Sequence, residues 1–208
     1  MSLLFTESPY LAAISLGSCI IGYFIHPIIF GLMLAAFLFL LYFYRYFPKN
    51  VDIRDARTLI CPCEGTVLDI VDKDGYYYIP IFISLLDKHT QVYPAYCTVI
   101  NRVYDMSGEF NLAMDLNKSK NNEKKIHTMH MYDGTVISLT QVAGLIPRVI
   151  TSTSEIGNYN IGDYLGMIKF GSRVDLLLPK KSANNLTLTL SIVKDQHIDM
   201  YDILGKYE

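Results

Sequence analysis

The sequence predicts a mainly β fold: a compact β-sandwich or barrel-sandwich-like domain, preceded by an N-terminal apolar helical hairpin. Three observations lead there. No Asp, Glu, Lys or Arg occurs from Ser8 to Tyr44, although charged residues make up 18% of the 208-residue chain. After Asn50 the apolar runs become short and rich in β-branched and aromatic residues. Turn signals then recur between them, among them Asp74-Gly75, Ser107-Gly108, Asp133-Gly134 and Ile161-Gly162-Asp163.

The uncharged stretch is too long for one simple span, and His26-Pro27 divides it. Proline interrupts a helix and restricts the residue before it. Tyr10–Ile25 and Ile28–Tyr44 follow as apolar helices of 16 and 17 residues. Each is about 25 Å long, against about 30 Å of hydrocarbon in a bilayer. Two short transmembrane helices and a re-entrant hairpin both fit that length. A cleaved signal peptide fits poorly, because no basic segment precedes the apolar run. Tyr42, Phe43, Tyr44, Tyr46 and Phe47 cluster where an interface would lie, and Arg45, Lys49, Arg54 and Arg57 come next. By the positive-inside tendency this predicts a membrane-associated protein whose main domain faces the cytoplasm. The expected boundary puts the hairpin at residues 1–48 and the second domain at residues 49–208.

In the second domain the predicted strands are Thr66–Val71, Tyr76–Phe82, Cys97–Tyr104, Thr135–Val142, Arg148–Thr153, Leu165–Lys169, Val174–Leu178 and Thr187–Val193. Asp115–Lys125 is polar and reads as an exposed loop, and the segment around His197 reads as a polar tail. A net charge of −2 gives no electrostatic footprint for nucleic acid. The four cysteines are Cys19, Cys61, Cys63 and Cys97. Cys61-Pro62-Cys63 lacks the spacing of a zinc or redox pair and has no second pair, so reduced thiols and no metal site are expected.

Three segments hold the residue types of an activated serine: Cys61-Pro62-Cys63-Glu64-Gly65, Ser84-Leu85-Leu86-Asp87-Lys88-His89 and Phe170-Gly171-Ser172-Arg173-Val174-Asp175. A hydroxyl is a weak nucleophile without a base, and a base needs a group to hold its tautomer. Taken singly, each has an ordinary reading as well. Ser172 fits a turn, His89 a core or surface histidine, and Glu64 a solvated strand end.

Taken together and in order, these segments resemble the short, pyruvoyl-dependent form of phosphatidylserine decarboxylase. Phe43-Tyr44-Arg45-Tyr46-Phe47-Pro48 resembles that family's opening signature. Cys61–Gly65 resembles its Ser-Pro-Ala-Asp-Gly segment, with Glu64 where the family has Asp. Ser84–His89, followed by Pro94, resembles its histidine motif. Gln141-Val142-Ala143-Gly144 resembles its Gln-Ile-Ala-Gly segment, with Arg148 close behind. Phe170–Asp175 resembles the self-cleavage motif.

The resemblance implies a membrane-bound proenzyme that cuts itself between Gly171 and Ser172. Ser172 would become a covalent pyruvoyl cofactor, which decarboxylates phosphatidylserine to phosphatidylethanolamine through a Schiff base. It implies that His89 is the base and that Glu64 orients it. Chains 1–171 and 172–208 would stay associated. Membrane lipid is the expected partner, and a symmetric homodimer the default assembly. A decarboxylase of a related serine phospholipid and a non-cleaving, non-enzymatic relative are the alternatives. The run from Glu155 to Ile168 also resembles the hairpin rhythm of biotinyl and lipoyl carriers, with Lys169 as the nearest lysine, but the carrier sequence context around that lysine is absent.

Overall fold

The computed structural model describes residues 3–106, 108–109, 111–144, 149–153, 156–169 and 172–208. The chain divides into two compact units, Met1–Phe47 and Pro48–Glu208.

The first unit is helical, with α1 (Leu4–Glu7), α2 (Pro9–Ile25) and α3 (Pro27–Phe43). Proline at the first position of α2 and of α3 fits a site whose N–H would have no helical partner. His26 separates the two helices, and its Nδ1 caps α3 by accepting from Ile28 N at 3.2 Å. Tyr23 stacks edge-on against Phe30 across the turn, with ring centroids 5.7 Å apart. The far ends are tied by a 2.9 Å bond between Ser8 Oγ and Tyr44 Oη. Tyr10, Phe24, Ile28 and Leu32 stay exposed. Both α2 and α3 have 17 residues, and no helix among the described residues is long and apolar enough to cross a membrane. The expected transmembrane helix is therefore not found. Proline breaks the apolar stretch into pieces too short for that role.

The second unit is mainly β, as the sequence predicts. Its strands are β1 (Thr58–Ile60), β2 (Gly65–Val67), β3 (Val71–Lys73), β4 (Tyr76–Ile83), β5 (Thr90–Val92), β6 (Cys97–Asp105), β7 (Lys124–Met131), β8 (Val136–Val142), β9 (Val149–Ser152), β10 (Gly157–Tyr159), β11 (Tyr164–Lys169), β12 (Ser172–Pro179), β13 (Leu188–Leu190), β14 (His197–Ile198) and β15 (Ile203–Tyr207). A nine-stranded antiparallel sheet runs β10-β6-β7-β8-β12-β4-β2-β14, with β3 also on β4. Two three-stranded sheets, β1-β15-β13 and β5-β11-β9, complete the unit, and no closed barrel forms among the described residues.

Side-chain alternation explains the layering. On β12, Val174, Leu176 and Leu178 are buried in the core, whereas Arg173, Asp175 and Leu177 lie on the other face. The core joins Ile81, Val99, Met129, Leu139 and Val174 of the large sheet to Ile150, Leu165 and Ile168 of the β5-β11-β9 sheet. Each such side chain contributes about 2 kcal/mol by leaving water. On the outer face, Arg173 grips Asp175 through bonds of 2.6 and 2.9 Å and also donates to the carbonyl of Ala113 at 2.6 Å. That pins the 111–121 segment to β12.

Two sequence expectations change here. The polar stretch ends in a 3₁₀ turn, Lys118–Asn121, but Lys124–Met131 is a long internal strand rather than the edge of a loop. The C-terminal tail supplies β14 and β15. All four cysteines are free, and burial pushes the Cys61 and Cys97 thiols up to about 12.

Candidate active site

The site begins where β4 ends. After Ile83 the chain turns sharply. Asp87 N donates to Ser84 O at 3.1 Å, and Ser84 N donates to Asp87 Oδ2 at 2.8 Å. Aspartate closing its own turn in this way is a common device of tight loops. The turn delivers His89 into the interior, fully buried. His89 Nδ1 lies 2.9 Å from the carbonyl oxygen of Asp87. A carbonyl only accepts, so Nδ1 carries the proton and the basic lone pair of the neutral ring is on Nε2.

Ser172 starts β12. In the ladder it faces Ile83, the last residue before the turn. On the neighbouring sheet, Met167 of β11 faces Thr90 of β5, and Ile168 N donates to the His89 carbonyl at 3.2 Å. Ser84–His89 connects β4 to β5, and those strands pair with β12 and β11 respectively. That pairing brings the histidine segment beside the start of β12. Gly171, the expected partner of Ser172 in cleavage, lies outside the described residues. Ser172 itself is fully buried, and its Oγ has no hydrogen-bond partner among the described residues.

The segment Cys61–Gly65 is clamped from both sides. Cys61 N donates to Asp202 O at 2.7 Å, and Val92 N donates to Pro62 O at 2.9 Å. Gly65 has no substitute here, since a Cβ would sit 2.3 Å from the carbonyl oxygen of Phe82. Glu64, just before it, accepts a hydrogen bond from Lys88 Nζ. The bond that holds the His89 tautomer thus comes from the main chain of Asp87, while the Glu64 carboxylate is joined to the residue next to His89. Burial, followed by the neighbouring Cys61, Asp87 and Glu64, raises the Cys63 thiol well above its usual range. That thiol stays protonated.

Glu64, Asp87 and His197 also bring one ligand atom each within 4.8 Å of one another. Lys88 already neutralises Glu64, and one oxygen of Asp87 is committed to Ser84 N. We assign no metal to this group. Lys88 and the backbone of Asp87 escaped sequence reasoning. Only the short spacing of Asp87-Lys88-His89 could have signalled them. Lys169 is buried at the end of β11, not exposed on a hairpin tip as a carrier lysine must be.

The family model for phosphatidylserine decarboxylase matches residues 36–201. The chain belongs to the phosphatidylserine decarboxylase family. Proteins named phosphatidylserine decarboxylase proenzyme are similar over most of its length. That of Solibacter usitatus is 30% identical over 178 residues, covering 85% of each chain. That of Pelodictyon phaeoclathratiforme is 34% identical over 152 residues, or 69% of this chain and 70% of the relative. That of Carboxydothermus hydrogenoformans is 33% identical over 164 residues, or 74% and 75%. No solved structure matches. The matched span takes in all three chemical segments, from Cys61 to Asp175.

Proposed function

We propose that this chain is a phosphatidylserine decarboxylase proenzyme that cleaves itself between Gly171 and Ser172. The observation that carries the reading is the pairing of Ser172 with Ile83 beside that of Met167 with Thr90. Only two strand ends and a turn then separate a buried hydroxyl from a buried imidazole.

In this reading Ser172 Oγ attacks the carbonyl carbon of Gly171 and its proton passes to His89 Nε2. The peptide N–C bond breaks as the ester C–O bond forms. Elimination across Cα and Cβ of Ser172 then releases residue 171 as a carboxylate. The dehydroalanine left behind takes up water and loses ammonia, leaving the pyruvoyl group. A hydroxyl held from water without a hydrogen-bond partner among the described residues fits an atom kept for reaction. When formed, the pyruvoyl group supplies an electron sink for loss of carbon dioxide from a serine phospholipid. His89 holds or delivers protons next to it. Glu64, paired with Lys88, sets the charge around the turn.

The 172–208 piece carries β12, which is paired with β4 and β8, and β15, which is paired with β1. Those ladders support a mature enzyme whose two chains stay together. The α2–α3 hairpin supports membrane association by insertion into one leaflet, because its helices are short and its exposed side chains are apolar. Arg45, Lys49, Arg54 and Arg57 favour a cytoplasmic catalytic unit.

Intact mass spectrometry of freshly expressed protein tests the proposal. Two chains divided at 171/172, one with a pyruvoyl end, are expected, and Ser172→Ala should stay whole. Decarboxylation of phosphatidylserine by a protein that keeps its full-length mass would overturn it.

A further inference from the structure

A line of polar side chains runs through the core to the turn that carries His89. His127 Nε2 lies 2.9 Å from Gln141 Oε1. Gln141 Nε2 lies 2.8 Å from Gln91 Oε1. Gln91 Nε2 lies 2.7 Å from the carbonyl oxygen of His89. His127, Gln141 and Gln91 have no exposed surface, and they come from β7, β8 and β5. The line therefore crosses from the large sheet to the small one.

Its direction is forced. The His89 carbonyl only accepts, so Gln91 must turn its amide nitrogen that way. The Gln91 oxygen must then accept, and only the nitrogen of Gln141 can donate to it. A weaker contact fixes the same orientation, with Gln141 Nε2 3.4 Å from Thr151 O. The Gln141 oxygen is left facing His127, whose Nε2 must carry a proton. His127 Nδ1 is buried and has no hydrogen-bond partner among the described residues. Burial, aided by Arg102 and Lys125 and offset in part by the Gln141 bond, lowers the His127 pKa to about 4, so the ring is neutral above that.

Stability alone does not account for this line. Apolar residues of similar shape at the three positions would hold the core about as well, because a buried hydrogen bond contributes little net stability. What apolar residues could not supply is a second donor to the His89 carbonyl, beside that of Ile168 N.

We propose that Gln91, Gln141 and His127 are positioning residues for self-cleavage: together they fix the His89 carbonyl, and with it the backbone from which the His89 imidazole projects. This rests on the reading of His89 as the base. The three act through His89 and do not touch the reacting atoms.

The test uses the full chain with Ser172→Ala, which keeps the precursor whole, and follows the histidine ring nitrogens by NMR across pH. His127 should be the Nε2–H tautomer. In His127→Leu, which deletes the donor, the His89 titration midpoint should move by about half a unit. In His127→Gln, which restores an N–H donor, it should return. With Ser172 present, cleavage should slow about tenfold in His127→Leu and recover to within about twofold in His127→Gln. An unmoved His89 titration in folded His127→Leu, or equal loss in both variants, would overturn the proposal.

If His127→Leu fails to fold by circular dichroism, Gln141→Glu replaces it. A carboxylate accepts from His127 but offers Gln91 a proton only when protonated. The charged or titratable groups around position 141 are His127 on β7, Lys125 opposite it in the ladder, Arg102 across from His127, and His89 next to β5. The ratio of variant to wild-type cleavage should rise as pH falls, and a flat ratio counts against the relay. Should the wild type never cleave while the His89 titration still follows His127, self-cleavage falls and the relay stands.

Discussion

Lys88 donates to the carboxylate of Glu64, so this acid is held by the residue immediately before His89. The Glu64 side chain is 12% exposed and that of Lys88 23%, so the pair is only lightly screened by water. The longer side chain of glutamate meets a partner anchored on the histidine turn itself.

Glu64→Gln keeps the shape and removes the charge. It should slow cleavage about tenfold, in keeping with one lost charge-assisted bond at the site. Lys88→Met should slow it less, because it frees the carboxylate rather than deleting it. A gel time course of the precursor measures both. Wild-type cleavage in Glu64→Gln would shift the electrostatic role to Asp87, whose carboxylate already closes the turn.

His89→Ala should fold and remain whole, whereas His130→Ala should cleave normally. His127 and His130 are three residues apart on β7 and face opposite ways. His127 is buried, while His130 is partly exposed beside Tyr96 and Tyr132. Mass spectra of the two variants after equal incubation decide this. Cleavage in His89→Ala would remove the histidine from the maturation step.

The His127 pKa gives stability a pH dependence of known sign. An ordinary histidine titrates near 6.5, and burial brings this one down to about 4. Between those values the unfolded chain binds a proton that the folded chain refuses. Stability is therefore complete above about 6.5, falls as pH drops and levels off near 4, for a total of about 3 kcal/mol. His127→Gln should flatten that limb of the thermal midpoint against pH, measured on the Ser172→Ala precursor. An unchanged limb would place the acid sensitivity elsewhere.

Gly166→Ala should destabilise the β5-β11-β9 sheet strongly. A Cβ there would lie 2.1 Å from Thr151 O and 2.8 Å from Ser152 Cα, both backbone atoms of β9. The ladder must open to admit it. A loss of several degrees in thermal midpoint is expected, by about 3 kcal/mol or more, and cleavage should slow as well, since β11 leads into the 170–171 connection. A variant as stable as the wild type would mean that β9 can shift without cost.

Much of this was legible in the sequence. The apolar hairpin, its break at His26-Pro27 and most strands of the large sheet follow from periodicity and turn residues. β5 and β7 did not, and the reason is physical. Their buried positions hold Gln91 and His127, which read as polar surface until Gln141 is seen to satisfy both. The polar line that approaches the histidine turn is what hid two strands from the hydrophobic pattern. β14 and β15 were missed because they are short and pair with β2 and β1, more than a hundred residues away. The order of the three chemical segments was readable. The Lys88 bond and the Asp87 carbonyl were not, because both depend on how one turn closes.

The central place of β12 has a further consequence for the life of the molecule. It is paired along eight residues to β4 and along five to β8, inside the sheet rather than at its rim. The precursor can fold as one chain, with β12 joined covalently to β11. Once cut, the same sheet could be rebuilt only by a meeting of two separate polypeptides, the smaller of them 37 residues long. By the proposed cleavage, folding would change from first order to second order. A denatured precursor should recover at a rate independent of dilution, whereas the mature enzyme, once unfolded and diluted, should be lost. The proposed cleavage would make the fold a one-way product of its own history.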